Sequence, residues 1–125
     1  MTRIRQSILD LIENSKKPMS AAQVYKESSE SADLATIYRG LQYLEDKQYL
    51  ESFVFACDCR GGIERYYTLR AAAHKHYFHC SHCHRFFPLK NCPIDSSIEK
   101  MEKDNAFKIS RHFLTLTGTC RDCQE

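Results

Sequence analysis

Asp33-Leu34-Ala35-Thr36-Ile37-Tyr38-Arg39-Gly40-Leu41-Gln42-Tyr43-Leu44 reads as one amphipathic helix running to about residue 47, with Asp33 as its N-cap and Leu34, Ile37, Leu41 and Leu44 on one stripe. The opposite face carries Ala35, Thr36, Arg39, Gln42 and Tyr43, groups that can approach base edges and phosphates. Taken alone, such a face is equally a solvated surface. Its neighbours in the chain shift the balance. Upstream, Ile4, Ile8, Leu11 and Ile12 recur at helical spacing up to Lys16-Lys17-Pro18. A second helix starts at Ser20, which can cap it while Gln23 reaches back and Met19 staples against Val24. Downstream, residues 50–56 and 64–69 are β-rich and are joined by a turn containing Gly61-Gly62. Helix, helix, outward-facing helix and hairpin is the order of a winged helix-turn-helix.

Beyond Leu69 the pattern changes, and His and Cys become dense. Strand-like runs fall at residues 77–78, 85–89 and 107–116, and a short helix fits residues 96–103. A boundary is predicted near residues 70–73, with the alanines as a hinge between a first domain over 1–70 and a second over 74–125. The fold class is α+β: a winged helix-turn-helix followed by a small α/β domain. A chain of 125 residues supports two such lobes only if each has help to stay folded.

No apolar run reaches the roughly 20 residues of a membrane helix, and the polar start Met1-Thr2-Arg3 lacks a signal-peptide core, so a cytoplasmic location and no membrane partner are expected. Seven cysteines, an odd number, suit metal ligation in a reducing compartment better than a disulfide scaffold. The formal charge is only +2, and residues 1–69 carry nine Lys and Arg against ten Asp and Glu. DNA binding must then come from a local patch and a shaped helix, not from a broad basic field.

Cys80-x-x-Cys83 and Cys120-x-x-Cys123 are two knuckles expected to complete together a closed, tetrahedral structural zinc site, with a disulfide, redox or iron-sulfur pairing as the alternative reading. A second constellation is histidine-based. His74 and His76 point the same way in an extended strand, His112 sits on a further strand-like run, and Asp95 and Glu99 lie four apart on the short helix. Imidazoles with a carboxylate suit zinc, iron, nickel or manganese. Cys57-Asp58-Cys59, beside the turn Arg60-Gly61-Gly62, is a candidate soft metal sensor site or a redox pair. No role is assigned to Cys92, read as a free thiol beside Pro93, or to His79, His82 and His84. There is no His-Glu-x-x-His or comparable catalytic run, so neither an enzyme nor a small-molecule substrate is expected. A zinc-buffering or protein-interaction module is the competing non-enzymatic reading.

These residues resemble the ferric uptake regulator (Fur) superfamily of bacterial metal-dependent repressors. The resemblance is carried by Thr2-Arg3 with Ile8-Leu9, Ser20-Ala21-Ala22-Gln23-Val24-Tyr25, and Leu34-Ala35-Thr36-Ile37-Tyr38-Arg39-Gly40-Leu41. It continues through His74-x-His76-x-x-x-Cys80-x-x-Cys83, His112 and Gly118-x-Cys120-x-x-Cys123. It implies a winged-helix DNA-binding domain and a dimerisation lobe with structural zinc. It further implies a homodimer that binds inverted-repeat operators in double-stranded DNA and represses when a second divalent metal is bound. Tyr38 and Arg39 would lie at the DNA. The second metal site would fall on His74, His76, His112 and Asp95, with Glu99 as substitute. Thr68, Lys75 and Tyr77 stand where iron- and peroxide-responsive members carry sensor ligands. Zinc-responsive members, often called Zur, place a thiolate and a carboxylate near Cys57-Asp58-Cys59, which makes zinc the favoured second metal. Iron-, manganese- or nickel-responsive regulation and a peroxide or thiol redox sensor are the alternatives. His84 replaces a glycine usual in the family.

Overall fold

Ser20 organises the first third of the chain. Its hydroxyl accepts from Gln23 N at 3.2 Å and the Gln23 side-chain oxygen accepts from Ser20 N at 2.9 Å, a complete capping box. The computed structural model describes residues 2–28, 31–57, 62–70 and 76–124, without the side chains of residues 56, 57 and 62. The chain separates into two units, Met1–Arg70 and Ala71–Glu125.

The first unit runs α1 (Arg3–Ser15), β1 (Met19–Ser20), α2 (Ala21–Glu27), α3 (Leu34–Asp46), β2 (Leu50–Cys57) and β3 (Gly62–Leu69). Lys16, at φ 57°, ends α1 in the left-handed region. Asp33 caps α3 by accepting from Thr36 N at 2.8 Å. β2 and β3 form an antiparallel hairpin in register from Leu50↔Leu69 to Cys57↔Gly62, and β1 adds to the far side of β3. Ile8, Ile12, Met19, Val24, Ile37, Leu41, Leu44, Leu50 and Tyr67 close one core between the three helices and this sheet. The arrangement is the winged helix-turn-helix anticipated above. Leu34, assigned to the buried stripe of α3, instead stays 39% exposed in the first helical turn.

The second unit holds β4 (Tyr77–Cys80), β5 (Phe86–Pro88), α4 (Asp95–Asn105), β6 (Thr115–Gly118) and a 3-10 turn at Arg121–Cys123. β4 is central, antiparallel to β5 and parallel to β6. The strand expected over residues 107–116 is only Thr115–Gly118. Ala106 turns left-handed at φ 54°, Phe107 N bonds back to the Glu102 carbonyl, and Ile109 N donates to the Glu102 carboxylate at 2.9 Å. Those donors are spent on the helix before they can enter a ladder. No residue of α4 or β6 is buried, and the buried side chains among the described residues of this unit are His76, Tyr77, His79, Cys80 and Cys120. Among the described residues no helix is long and apolar enough to cross a membrane.

Gly40 sets the spacing of α1 and α3. A Cβ there would stand 2.6 Å from Ile8 Cδ1, itself 1% exposed in the core. Gly40→Ala is expected to destabilise by about 1 kcal/mol net, overpacking of roughly 1–3 kcal/mol outweighing the roughly 1 kcal/mol gained in helix propensity. Against Ile8→Val, which lacks that methyl, the same change should become neutral or stabilising. Denaturant unfolding of the four proteins in this cycle checks it, and strictly additive costs would remove Gly40 from the contact.

Candidate metal centres and nucleic-acid interface

The parallel pairing of β4 with β6 sets Cys80 opposite Gly118, which carries the first knuckle to the second. Ser81 fastens the junction, its N and Oγ both donating to the Gly118 carbonyl at 2.8 and 3.0 Å. The thiol sulfurs of Cys80, Cys83, Cys120 and Cys123 all lie within 4.8 Å of one another. Cys83 Sγ and Cys120 Sγ are 3.8 Å apart, matching the about 3.8 Å edge of a tetrahedron with zinc–sulfur bonds near 2.3 Å. All four thiols expected to hold structural zinc therefore converge, and their spacing fits the ion.

Their electrostatics fit it too. Burial would raise the Cys80 thiol, but backbone N–H groups of Cys83, Cys120 and His82 outweigh it and hold the thiol down at about 5. Arg85 lowers Cys83 by donating Nε to its sulfur at 3.2 Å. Cys123 goes the other way, up to about 12, through its side-chain contact with Cys120 and then burial. At neutral pH Cys80 is therefore held as thiolate and Cys123 as thiol, and a cation among the sulfurs would favour the thiolate form. Arg85 also reaches Cys120 Sγ at 3.8 Å and Asp122 Oδ2 at 3.0 Å, bridging the knuckles. Sequence reading missed it, although its place two residues after a ligand cysteine was visible. His84 occupies φ 62°, which explains why a glycine suits the position. Its ring lies 5.6 Å from that of His79, which is buried against Phe86. His82 is exposed.

A second cluster joins His76, Cys92 and His112, whose donor atoms also fall within 4.8 Å. His76 Nε2 lies 2.9 Å from His112 Nε2, and Cys92 Sγ lies 3.3 Å from the same nitrogen. His76 and His112 are thus brought together as expected, but His112 comes from the irregular segment before β6 and not from a strand. The third donor is Cys92, to which the sequence assigned no role. Asp95 and Glu99 are exposed on α4 and belong to neither cluster. The thiol was illegible because it has no partner at short spacing. His74, Asp58, Cys59 and the side chain of Cys57 lie outside the described residues.

On α3, Tyr38, Arg39 and Gln42 are exposed, with Tyr38 at 53%. Arg39 donates to Thr36 Oγ1 at 3.1 Å and Gln42 Nε2 to Asp46 Oδ1 at 2.9 Å, so both are held along the helix surface. Tyr43 is not on the open face. It packs on the core, and the Arg5 guanidinium covers its ring at 3.7 Å.

Residues 1–117 match the Ferric uptake regulator family. The ferric uptake regulation protein of Bacillus subtilis is 33% identical over 119 residues, covering 90% of this chain and 76% of its own length. Among solved structures, the Helicobacter pylori ferric uptake regulator Fur, described with three functional metal binding sites, superposes with a TM-score of 0.78 at 20% identity, covering 100% of this chain and 82% of that one. A zinc uptake regulator complexed with zinc and DNA gives a TM-score of 0.66 at 17% identity, with 98% and 81% covered.

Arg85→Ala is expected to weaken metal retention by the Cys80–Cys83–Cys120–Cys123 cluster by roughly 10- to 100-fold, the usual effect of losing an outer-shell partner. Arg85→Lys should recover part of the loss, since an ammonium cannot fork to both knuckles. Competition with a chromophoric chelator measures both, and wild-type retention in Arg85→Ala would show the guanidinium to be a bystander.

Proposed function

The chain belongs to the ferric uptake regulator family, and from that premise we propose that it is a zinc-sensing repressor that grips operator DNA as a homodimer while a regulatory ion is bound. The observation that carries the reading is the presence of two separate metal-donor clusters in one small unit, one all-thiol and one containing imidazoles. Four thiolates make a closed site that contributes folding energy, of order 10 kcal/mol for structural zinc. The imidazole cluster is left to respond to metal supply. It would hold the second ion through His76 and His112.

In this reading residues 1–70 are the DNA-binding domain and residues 74–125 the dimerisation and metal-binding domain. Arg39 puts an exposed cation on the open face of α3, a local charge in a unit whose signs otherwise balance, and it suits a phosphate or a guanine edge. Tyr38 and Gln42 flank it, Thr36 steadies it, and Tyr43 positions Arg5 beside the same helix. The zinc uptake regulator complexed with zinc and DNA supports this use of the fold. Met101, Phe107, Phe113 and Leu116, between 42% and 77% exposed, give the second unit apolar surface that a second copy would cover. A two-fold dimer reads two half-sites, hence an inverted repeat. The protein acts as a regulator and not as an enzyme, and its reduced thiols suit the cytoplasm.

The test pairs metal content with DNA affinity, using DNA selected from a random pool by the zinc-loaded protein. One zinc per chain should resist mild chelation while a second leaves and takes DNA binding with it. Zinc should restore binding at lower concentration than iron(II) or manganese(II). Arg39→Ala should cost about 1–3 kcal/mol of affinity with the fold intact. DNA binding indifferent to chelation, or restored by manganese and not by zinc, would overturn the proposal.

A further inference from the structure

We infer that Cys92 is a thiolate ligand, so that His76, Cys92 and His112 form a mixed nitrogen-sulfur site for one thiophilic divalent ion, zinc or cobalt(II), in place of an imidazole-carboxylate site. The inference rests on the regulatory role given above to His76 and His112, and it names the third donor and the metal class.

The hydrogen bonding of His76 prepares the site. Its Nδ1 lies 3.2 Å from the Leu114 carbonyl, an atom that can only accept, so Nδ1 carries the proton and Nε2 presents a lone pair. A backbone carbonyl behind the ring is the usual outer-shell partner of a metal-binding imidazole. That lone pair faces His112 Nε2 at 2.9 Å, and Cys92 Sγ faces His112 Nε2 at 3.3 Å. His76 is 7% exposed, so water does little to screen these donors from one another.

The spacing suits a small tetrahedral ion. Two nitrogens bound at 2.0–2.1 Å should be about 3.3–3.4 Å apart, and a nitrogen and a thiolate about 3.6 Å apart. Both contacts need to open by only a few tenths of an ångström. The donors come from just before β4, from the link between β5 and α4, and from the segment before β6. One ion there would tie the two flanks of α4 to the central strand.

Binding is ligand exchange without electron transfer. The Cys92 S–H bond breaks as the metal–sulfur bond forms, and its proton passes to water. The proton that lets His112 Nε2 donate to His76 moves to His112 Nδ1, so both Nε2 lone pairs become free for the ion. Thiolate with two imidazoles favours zinc, cobalt(II) or copper over manganese(II) and iron(II), which prefer harder oxygen donors.

The test uses the full-length protein as purified, retaining its chelator-resistant zinc, titrated with cobalt(II) chloride. Wild type should develop a near-ultraviolet thiolate-to-cobalt charge-transfer band at one equivalent. Cys92→Ser should lose it while keeping the resistant zinc, with second-ion affinity down by more than the roughly 10- to 100-fold of an outer-shell loss. Cys92→Asp should bind without the band and narrow the zinc-over-manganese preference by at least as much. A wild-type spectrum without the band, or wild-type zinc affinity in Cys92→Ser, overturns the inference. DNA affinity followed in the same titration separates the two readings. A thiolate band with DNA binding indifferent to the ion upholds the site and overturns its regulatory role. DNA binding that follows the ion with no band does the reverse.

Discussion

Four residues of parallel pairing between β4 and β6 hold the second unit together. Tyr77↔Thr115 through Cys80↔Gly118 is a short ladder, and in most domains so little pairing would rest on an aliphatic core. Here no residue of α4 or β6 is buried, and among the described residues of the unit the buried side chains are imidazoles, thiols and a tyrosine, flanked by the half-buried Phe78, Phe86 and Phe87. Such groups stabilise a fold only when their donors and acceptors are satisfied. The ladder therefore brings the knuckles together, and an ion among them would do what leucines do in the first unit.

The two units thus show two ways of making a small fold stable. Residues 1–70 follow ordinary rules, with a capped α2, a capped α3, a hairpin of eight-residue strands and a core of Ile, Leu, Met and Val. The caps, the helices and the existence of the hairpin were legible, because capping and amphipathic spacing act over three or four residues, while the strands, expected over 50–56 and 64–69, run on toward the turn to Cys57 and Gly62. Leu34 departed from its stripe because it sits in the first turn of α3, beyond the reach of the core. Tyr43 depended on a neighbour that no helical wheel contains, since Arg5 of α1 lies over its ring.

In residues 76–124 legibility followed the length of the contact. Cys80 with Cys83 and Cys120 with Cys123 announce themselves by spacing. Cys92 meets His112 across 20 residues and was invisible to pattern. Asp95 and Glu99 share a helix as read, yet α4 presents both to solvent. The long strand expected before Gly118 failed because Glu102 takes the Ile109 amide. His84 had no explanation until its backbone angle did what glycine does freely.

β4 carries both donor groups at its ends, His76 immediately before it and Cys80 as its last residue, a span of about 13 Å at 3.3 Å per residue. On the reading proposed above, the two ions must then arrive in order. A newly made chain would then have no formed second site until a first zinc fixed the strand that presents His76. Copies translated during severe scarcity would stay unable to report when supply returns, until they too mature. The cell's early response would come from older copies, matured in better times, so the history of supply would shape the response as well as the present concentration.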